Sequence, residues 1–527
     1  MHFPSLSKIR PSQAFLVLAI VLASAIRVGF ILDSSFPIND GGLFYTMTEE
    51  LLASNFSLPE HTNYNQLQTP YAYPPLAFYL LGFLTKFLGW DMISLFRFLP
   101  VIISLITIPA FYFLIKTMKF DDLLIGLSVL IFSLLPITFE WLVMGGGVTR
   151  APGFFFSLLT IRSIYLLYTR EKKADIVLVT LFSSLTILFH PESAIHTVAV
   201  ALAFFFILGR SKKTLIKSLA IVGLVLILTS PWWIQVVIVH GFDPFLSAGS
   251  TGFYELGSFL SLLIFDFSGE IGLTSIGFLG LIGLFLSISR KQLLLPVWLI
   301  VTYVIEPRSG PLYMAPAMSV LAATTILVLS RQIGKAFLKS GSASENPFAL
   351  LPNKILLTLL VIQWSFSSAF TMNQLITTQT LKQSDLAAIK WVKENTSDDS
   401  QFLILTGLRS FRDPLAEWYP TLTQRESITT VQGKEWKKDV DFSKILETNS
   451  DFQMCAFHRS QCIENWVDDN QMEYDYIIIR ASNLLLEDKR IIQTNGLNSP
   501  STIWLEDHSP VFQNADIEIF RYGDYLN

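Results

Sequence analysis

The sequence has 527 residues, of which 51% are hydrophobic and only 15% are charged, against about 25% charged residues in an average soluble protein. The shortage is uneven, because 41 charged side chains lie in residues 1–375 (about 11%) and 39 lie in residues 376–527 (about 26%). These values exclude a wholly soluble enzyme, a disordered protein and a protein with a single membrane anchor, and the net charge of −4 gives no basic surplus that would indicate a nucleic-acid partner. We therefore predict a polytopic membrane domain over residues 1–375 and a second domain over residues 376–527.

Eleven stretches of the membrane domain are apolar over the roughly 20 residues that a membrane-crossing helix needs. They begin near Gln13, Phe98, Leu123, Ala151, Ile176, Ser193, Ser218, Ile271, Gln292, Ser309 and Ile355. We interpret the first as an uncleaved span and not as a signal peptide, because Arg27 interrupts its apolar run and no clear cleavage site follows. The predicted fold class is an α-helical polytopic membrane protein with about 11 transmembrane helices.

A further apolar stretch, Tyr73 to Trp90, is ambiguous because it opens with two prolines and contains Lys86. If this stretch does not cross, the basic clusters all fall on one side of the membrane, which the positive-inside rule identifies as the cytoplasmic side. The clusters are Lys8/Arg10, Lys116/Lys119, Arg170/Lys172/Lys173, Arg210/Lys212/Lys213/Lys217, Arg290/Lys291 and Arg331/Lys335/Lys339/Lys354. We therefore predict a multi-pass plasma-membrane protein with a cytoplasmic N-terminus and an extracytoplasmic C-terminal domain, in which Tyr73–Trp90 lies along the outer leaflet.

The first outer loop, about residues 33–96, is the longest loop of the membrane domain and is predicted to carry the catalytic site. It contains a predicted helix, Asp40 to Ala53, for which Asn39 or Asp40 would be a good N-cap.

The C-terminal domain is predicted to be a small α/β domain. Ser384–Glu394 has the pattern of an amphipathic helix, and Phe402–Thr406, Tyr476–Arg480 and Ile517–Tyr522 have the β-branched and aromatic content of strands. The two cysteines of the chain, Cys455 and Cys462, both lie in this domain. An extracytoplasmic location favours a disulfide between them, and two free buried thiols are the alternative.

Ionisable side chains in or beside membrane spans are costly, so each is a candidate functional group. In the predicted topology most of them collect at the outer rim of the bundle. This distribution favours an enzyme or a gate at the outer face, since a proton-coupled transporter would place such groups near the bilayer midplane.

The motifs of the first loop resemble those of the GT-C superfamily of membrane glycosyltransferases, which includes the protein O-mannosyltransferases and the aminoarabinose transferases. The resemblance covers about residues 10–330 and follows the order Pro37-Ile38-Asn39-Asp40-Gly41-Gly42, then Tyr73-Pro74-Pro75-Leu76, then Arg97-Phe98-Leu99-Pro100. The C-terminal segments Glu417-Trp418-Tyr419-Pro420 and Val431-Gln432-Gly433-Lys434-Glu435-Trp436 are similar to the outer domain of a prokaryotic branch of glycosyltransferases.

The resemblance implies transfer of a hexose or pentose from a polyprenyl-phosphate-linked donor to a lipid, glycan or protein acceptor. It also implies that Asp40 is the general base. The better-known branches have two adjacent acidic residues, whereas this chain has Asn39-Asp40. General chemistry is compatible, since a carboxylate can take the acceptor proton and a single base fits inversion at the anomeric carbon.

Other residues are candidates for substrate binding. Arg150 and Arg308 stand alone at span mouths and could bind the lipid phosphate, although lipid-headgroup anchoring is the alternative. The remaining candidates are His190, Glu192, Glu306, Arg97 and Tyr45.

Each of these candidates has an ordinary structural alternative. Asp40 could be only a helix N-cap, Arg97 could only snorkel, and Tyr45 could only pack within its loop. His190, Glu192 and His196 form a weak signature for a divalent metal, so no cofactor is firmly predicted. A transporter or flippase of lipid-linked sugars is the alternative function, and a non-catalytic scaffold is a weaker one.

Overall fold

The computed structural model describes residues 10–170, 172–251, 268–337, 346–438, 440–458, 461–480 and 509–522. Of the basic clusters used above, Lys8 and Lys339 lie outside these ranges. In the membrane domain, the α-helices are α1 (Pro11–Asp33), α2 (Gly42–Ala53), α3 (Leu76–Leu88), α4 (Met92–Thr117), α5 (Asp122–Leu134), α6 (Gly147–Arg170), α7 (Lys173–Phe189), α8 (Pro191–Leu208), α9 (Lys212–His240), α10 (Asp243–Ser250), α11 (Ser275–Ser289), α12 (Leu294–Ile305), α13 (Gly310–Phe337) and α14 (Leu351–Thr378).

Each predicted span coincides with one of these helices. Within the described ranges, seven helices are long and apolar enough to cross a membrane, namely α1, α4, α6, α8, α9, α13 and α14. Shorter apolar helices include α3, α5, α11 and α12, which at about 1.5 Å per residue are shorter than a hydrocarbon core of about 30 Å. The fold class of an α-helical polytopic membrane protein is confirmed, whereas the number of eleven crossings stays a prediction.

Helices α4, α5, α6 and α13 form most of the interior of the bundle, while α1, α9 and α14 are mostly exposed on its surface. Arg27 of α1 is nevertheless fully buried. Its guanidinium donates to the backbone oxygens of Ser104 (3.1 Å) and Ser133 (2.7 Å) and lies over the ring of Phe139. These bonds explain how an apolar span tolerates an arginine, because its donors are satisfied inside the protein.

The C-terminal domain contains a mixed sheet and several helices. The helices are α15 (Gln383–Asn395), α16 (Pro414–Thr423), α17 (Phe442–Met454) and α18 (Gln461–Asn470). The membrane domain has a two-stranded ribbon, β1 (His61–Thr62) with β2 (Thr69–Pro70), and the C-terminal sheet consists of β3 (Gln401–Leu405), β4 (Glu426–Ser427), β5 (Tyr476–Arg480), β6 (Phe512–Gln513) and β7 (Ile517–Arg521).

The order of the C-terminal sheet is β4-β3-β5-β7-β6. Strands β3, β4 and β5 are parallel, while β7 runs antiparallel to β5 and β6. The predicted helix and the three predicted strands agree with α15, β3, β5 and β7 to within one residue at each end, so the α/β prediction is confirmed. Cys455 and Cys462 are joined by a disulfide, with 5.4 Å between their Cα atoms.

The C-terminal domain packs against residues 34–91, which connect α1 to α4, and against the start of α4. Trp418 of α16 is fully buried and contacts the rings of Phe36, Tyr45 and Phe96. These aromatic contacts hold the C-terminal domain over the end of the bundle where the ionisable side chains collect.

Candidate functional site

Asp40 is not a helix cap. Helix α2 begins at Gly42, and its N-cap is Gly41, whose φ of 132° is open only to glycine, so the predicted N-cap at Asn39 or Asp40 is wrong. The carboxylate of Asp40 instead accepts from the backbone N–H of Gly146 (2.9 Å) and from both terminal nitrogens of Arg150 (2.8 and 3.0 Å). Its side chain is 20% exposed and therefore reachable by a ligand.

The turn that meets Asp40 is built from three glycines, and this close approach requires them. A Cβ at Gly145 would lie 2.0 Å from the backbone oxygen of Asp40, and a Cβ at Gly146 would lie 2.6 Å from its Oδ2. The backbone N–H of Gly145 also donates to the oxygen of Ile38 at 2.7 Å. The glycines therefore let the start of α6 carry a backbone donor and Arg150 directly to the carboxylate.

Arg150 is a partner of Asp40. Its Nε donates to the backbone oxygen of Trp141 (3.1 Å), and its guanidinium lies 5.5 Å from the centre of the Trp141 ring. Three of its five N–H donors are thus used inside the protein. The sequence predicted phosphate binding for Arg150, whereas the structure gives this side chain the geometry of a group that orients Asp40.

A second charged group surrounds Arg308, in the turn between α12 and α13. Arg308 is paired with Glu192 at the start of α8, and its Nε lies 3.8 Å from Oε1 of Glu306. Burial raises the pKa of Glu306, but hydrogen bonds from His196 and Ser309 and the charge of Arg308 outweigh it and lower this pKa to about 2. Glu306 is therefore ionised, and Arg308, with a 35% exposed side chain, faces two carboxylates.

Tyr73 and His190 lie between the two charged groups. The hydroxyl of Tyr73 is 3.2 Å from Oγ1 of Thr149, the residue before Arg150, and its ring centre is 6.4 Å from that of His190. Burial raises the pKa of Tyr73, and Arg150, Glu192 and Asp40 are all near enough to act on it. The two charged groups are therefore parts of one site.

The C-terminal domain adds two carboxyl groups to this site, of which Glu417 is buried and Glu435 is half-buried. Oε1 of Glu417 accepts from the backbone N–H groups of Gly41 (3.3 Å) and Leu43 (3.4 Å). Burial, followed by the negative charge of Asp40, raises the pKa of Glu417 to about 8. Glu435 lies near Arg308, and its burial raises its pKa as well. Neither residue was among the predicted site residues, although both belong to the two C-terminal motifs noted in the sequence.

Solved structures with a similar fold include an oligosaccharyltransferase and ArnT. The oligosaccharyltransferase of Archaeoglobus fulgidus in its apo form has a TM-score of 0.58 and 12% identity over 91% of this chain and 70% of its own. ArnT from Cupriavidus metallidurans bound to undecaprenyl phosphate has a TM-score of 0.54 and 12% identity over 96% of this chain and 98% of its own. The chain has the GT-C fold.

A third structure supports the same conclusion on the GT-C fold. The archaeal oligosaccharyltransferase AglB from Archaeoglobus fulgidus, in complex with an inhibitory peptide and a dolichol-phosphate, has a TM-score of 0.55 and 13% identity over 94% of this chain and 71% of its own. A family model described as "6-pyruvoyl-tetrahydropterin synthase related domain; membrane protein" matches residues 71–309, which is less than half of the chain. No curated protein matches the sequence.

Two predicted site residues lie elsewhere in this GT-C fold. Arg97 of α4 donates to the backbone oxygens of Ile31 (2.9 Å) and Leu32 (3.0 Å) and so caps the C-terminal end of α1. Tyr45 packs on Phe96 and Trp418, and burial together with the charge of Glu49 raises its pKa to about 12. Both have structural partners away from Asp40, because a capping site and an aromatic cluster satisfy them locally.

The predicted metal signature is not assembled. Nδ1 of His190 accepts from Ser193, Nε2 of His196 is bonded to Ser309, and Glu192 is paired with Arg308. In the part of the chain that the structure describes, no group of three His, Cys, Asp or Glu side chains is arranged to hold a metal ion. Asp40 likewise has both oxygens engaged by Arg150, so the residues of the site do not fit a metal in this arrangement.

Proposed function

We propose that the protein is an integral membrane glycosyltransferase that moves a sugar from a polyprenyl-phosphate-linked donor to an acceptor hydroxyl at the extracytoplasmic face of the plasma membrane. The GT-C fold supports the reaction class. Structures of this fold have been solved with dolichol-phosphate and with undecaprenyl phosphate, which supports a lipid phosphate as the donor carrier. The proposed division of labour is a membrane domain, residues 1–375, that holds the donor and a C-terminal domain, residues 376–527, that covers the site.

The observation that carries this proposal is the setting of Asp40. A carboxylate that is oriented by a bidentate arginine and a backbone N–H, yet remains 20% exposed, can accept a proton from a bound hydroxyl. In the proposed step, the acceptor oxygen bonds to the anomeric carbon while its proton passes to Asp40. The bond from that carbon to the phosphate oxygen breaks, and polyprenyl phosphate leaves with the electron pair.

Arg308 is the proposed phosphate ligand. It is the more exposed of the two site arginines, and a phosphate oxygen can take the place of Glu192 or Glu306 on its guanidinium. His190, Glu192 and Glu306 then line the donor subsite, and the carboxylate that stays paired with Arg308 holds its guanidinium in place. One carboxylate acting as the base fits inversion at the anomeric carbon, because a double displacement would need a second, nucleophilic carboxylate. We derive no step through a metal ion.

The direct test is Asp40→Asn in purified protein supplied with a polyprenyl-phosphate sugar and extracts containing acceptors. This variant keeps the side-chain volume and removes the basic oxygen, so transfer is expected to fall by about 10²-fold or more. Asp33→Asn is the matched control, because Asp33 is exposed at the end of α1 and its substitution removes the same single negative charge. Near-normal transfer by the Asp40 variant would exclude Asp40 as the base.

The sugar itself is identified by mass spectrometry of the glycoconjugates of a deletion strain, which reports the missing sugar and its carrier together. The same strain separates the enzyme from the alternative of a transporter or flippase. Sealed vesicles that accumulate a lipid-linked sugar without a new glycosidic bond would favour transport over transfer.

A further inference from the structure

We propose that Glu417 and Trp418 of the C-terminal domain are positioning residues that hold the catalytic loop, residues 39–43, in the conformation that presents Asp40. The inference deepens the proposed function and rests on it, since it assigns these residues a role in the transfer reaction. Neither side chain touches the two oxygens of Asp40, so both are inferred to act through the backbone of the loop.

The catalytic loop has an unfavourable backbone conformation that needs contacts from outside the loop to stabilise it. Asn39 has a φ of 55° and Gly41 a φ of 132°, so two of its residues lie outside the regions that ordinary chain favours. Left-handed conformations of residues other than glycine are unfavourable and persist only where the surroundings fix them. The partners that fix residues 39–43 should therefore lie outside the loop.

Several of those partners come from the C-terminal domain. The indole Nε1 of Trp418 donates to the backbone oxygen of Asn39 (2.9 Å), and the side-chain amide of Asn39 donates to the backbone oxygen of Phe411 (2.9 Å). Oγ1 of Thr421 donates to the backbone oxygen of Gly42 at 2.8 Å. Together with the two bonds that Glu417 accepts, these contacts hold the backbone on both sides of Asp40.

Glu417 occupies the position that a helix N-cap would take. Its Oε1 accepts from the backbone N–H of Gly41, the N-cap, and from that of Leu43, the second residue of α2, which an N-cap side chain would normally bind. Glu417 is 3% exposed, and within the described residues its Oε2 has no hydrogen-bond partner. The ionisable groups that act on it are Asp40 from the loop, Glu435 from its own domain and Tyr64, whose hydroxyl donates to the backbone oxygen of Glu417 (2.6 Å). Because none of these groups is a cation, they favour the neutral, protonated form of Glu417. Glutamine is also neutral and has the same length, so it should be able to take the place of Glu417.

Trp466, in the same domain, provides a matched control for Trp418. Trp418→Phe removes an indole N–H that bonds the oxygen of Asn39, and Trp466→Phe removes one that bonds the oxygen of Thr448 at 3.0 Å. Both rings are buried, so the two changes are similar in chemistry and differ in whether they reach the catalytic loop. Glu417→Ala and Glu417→Gln complete the set.

The experiment measures kcat and KM for the polyprenyl-phosphate sugar, together with hydrogen exchange of the backbone amides of residues 39–46, in full-length protein. Trp418→Phe and Glu417→Ala should lower kcat by about 10- to 100-fold with little change in KM, because the base is displaced while the donor subsite is intact. Both should speed exchange in residues 39–46. Trp466→Phe should leave kcat and exchange close to those of the unmodified protein, and Glu417→Gln should restore most of the kcat and of the exchange protection that Glu417→Ala loses.

The two proposals fail in different ways. If Trp418→Phe and Trp466→Phe behaved alike in kcat and in exchange, or if Glu417→Gln were as damaging as Glu417→Ala, the positioning role would be overturned. If the unmodified protein transferred no sugar while exchange in residues 39–46 still responded to Trp418→Phe alone, the hold on the loop would stand and the proposed function would fail.

Discussion

At the scale of single residues, the pair of Asp40 and Arg150 decides whether the site can work. Lysine at position 150 would keep the positive charge but cannot make two parallel N–H bonds to one carboxylate. We expect Arg150→Lys to reduce kcat/KM by about 10²-fold, because the carboxylate loses its fixed orientation. Arg162→Lys, further along α6 and away from Asp40, is the control, and sugar transfer is assayed for both variants. Equal activity of the two would contradict the orienting role.

The raised pKa of Glu417 makes a prediction about stability and pH. A carboxyl whose pKa rises from 4.5 to about 8 on folding gives stability that is fully present below pH 4.5 and is lost as the pH rises toward 8. Glutamine does not titrate, so Glu417→Gln should match the unmodified protein in Tm near pH 4.5 and exceed it increasingly up to pH 8.

Thermal unfolding in detergent at pH 5, 6.5 and 8 measures this difference in Tm. Glu473→Gln, an exposed carboxyl of the same domain, is the control and should show a smaller dependence on pH. A constant difference in Tm for Glu417→Gln across this range would mean that Glu417 titrates normally.

At the scale of elements, the glycine turn before α6 matters as much as the charged residues that it carries. A methyl group at Gly146 would meet Oδ2 of Asp40 at 2.6 Å and a terminal nitrogen of Arg150 at 3.0 Å. We expect Gly146→Ala to separate Asp40 from Arg150 and to abolish sugar transfer, which the transfer assay measures. Gly223→Ala in α9, where a Cβ meets nothing within 4 Å, should retain full activity in the same assay. A functional Gly146→Ala variant would show that the turn can yield.

The elements differ in how far the sequence could predict them. Strands β3, β5 and β7 were predictable because runs such as Tyr476–Arg480 carry their own β-propensity. The start of α2 could not be predicted. Asn39 and Asp40 are residue types that favour the N-cap position, but Glu417, which is distant in the sequence, takes that role through a tertiary contact. The site residues were predictable as charges at span mouths. Their pairings were not, since the partners Asp40 and Arg150 stand 110 positions apart and Gly41 and Glu417 stand 376 apart.

At the scale of the whole molecule, the contacts place the first loop and the C-terminal domain on the same side of the bundle. The distribution of basic clusters predicts that this side is extracytoplasmic. Single cysteines at the exposed positions Ser57 and Gln292 test it with a membrane-impermeant maleimide in intact cells. Ser57→Cys should be labelled at once and Gln292→Cys only after permeabilisation, and the native cysteines do not compete because they are bonded to each other. The reverse pattern would invert the topology.

The long sequence separation between the catalytic loop and Trp418 has a consequence for biosynthesis. The loop follows α1 in the sequence, whereas the side chains that fix its backbone follow α14 and are translated later. A nascent chain that has inserted its helices therefore still lacks a finished catalytic centre. On the proposed function, the chain can transfer sugar only after residues 376–527 have folded against this loop, so a chain that lacks them should not consume lipid-linked sugar.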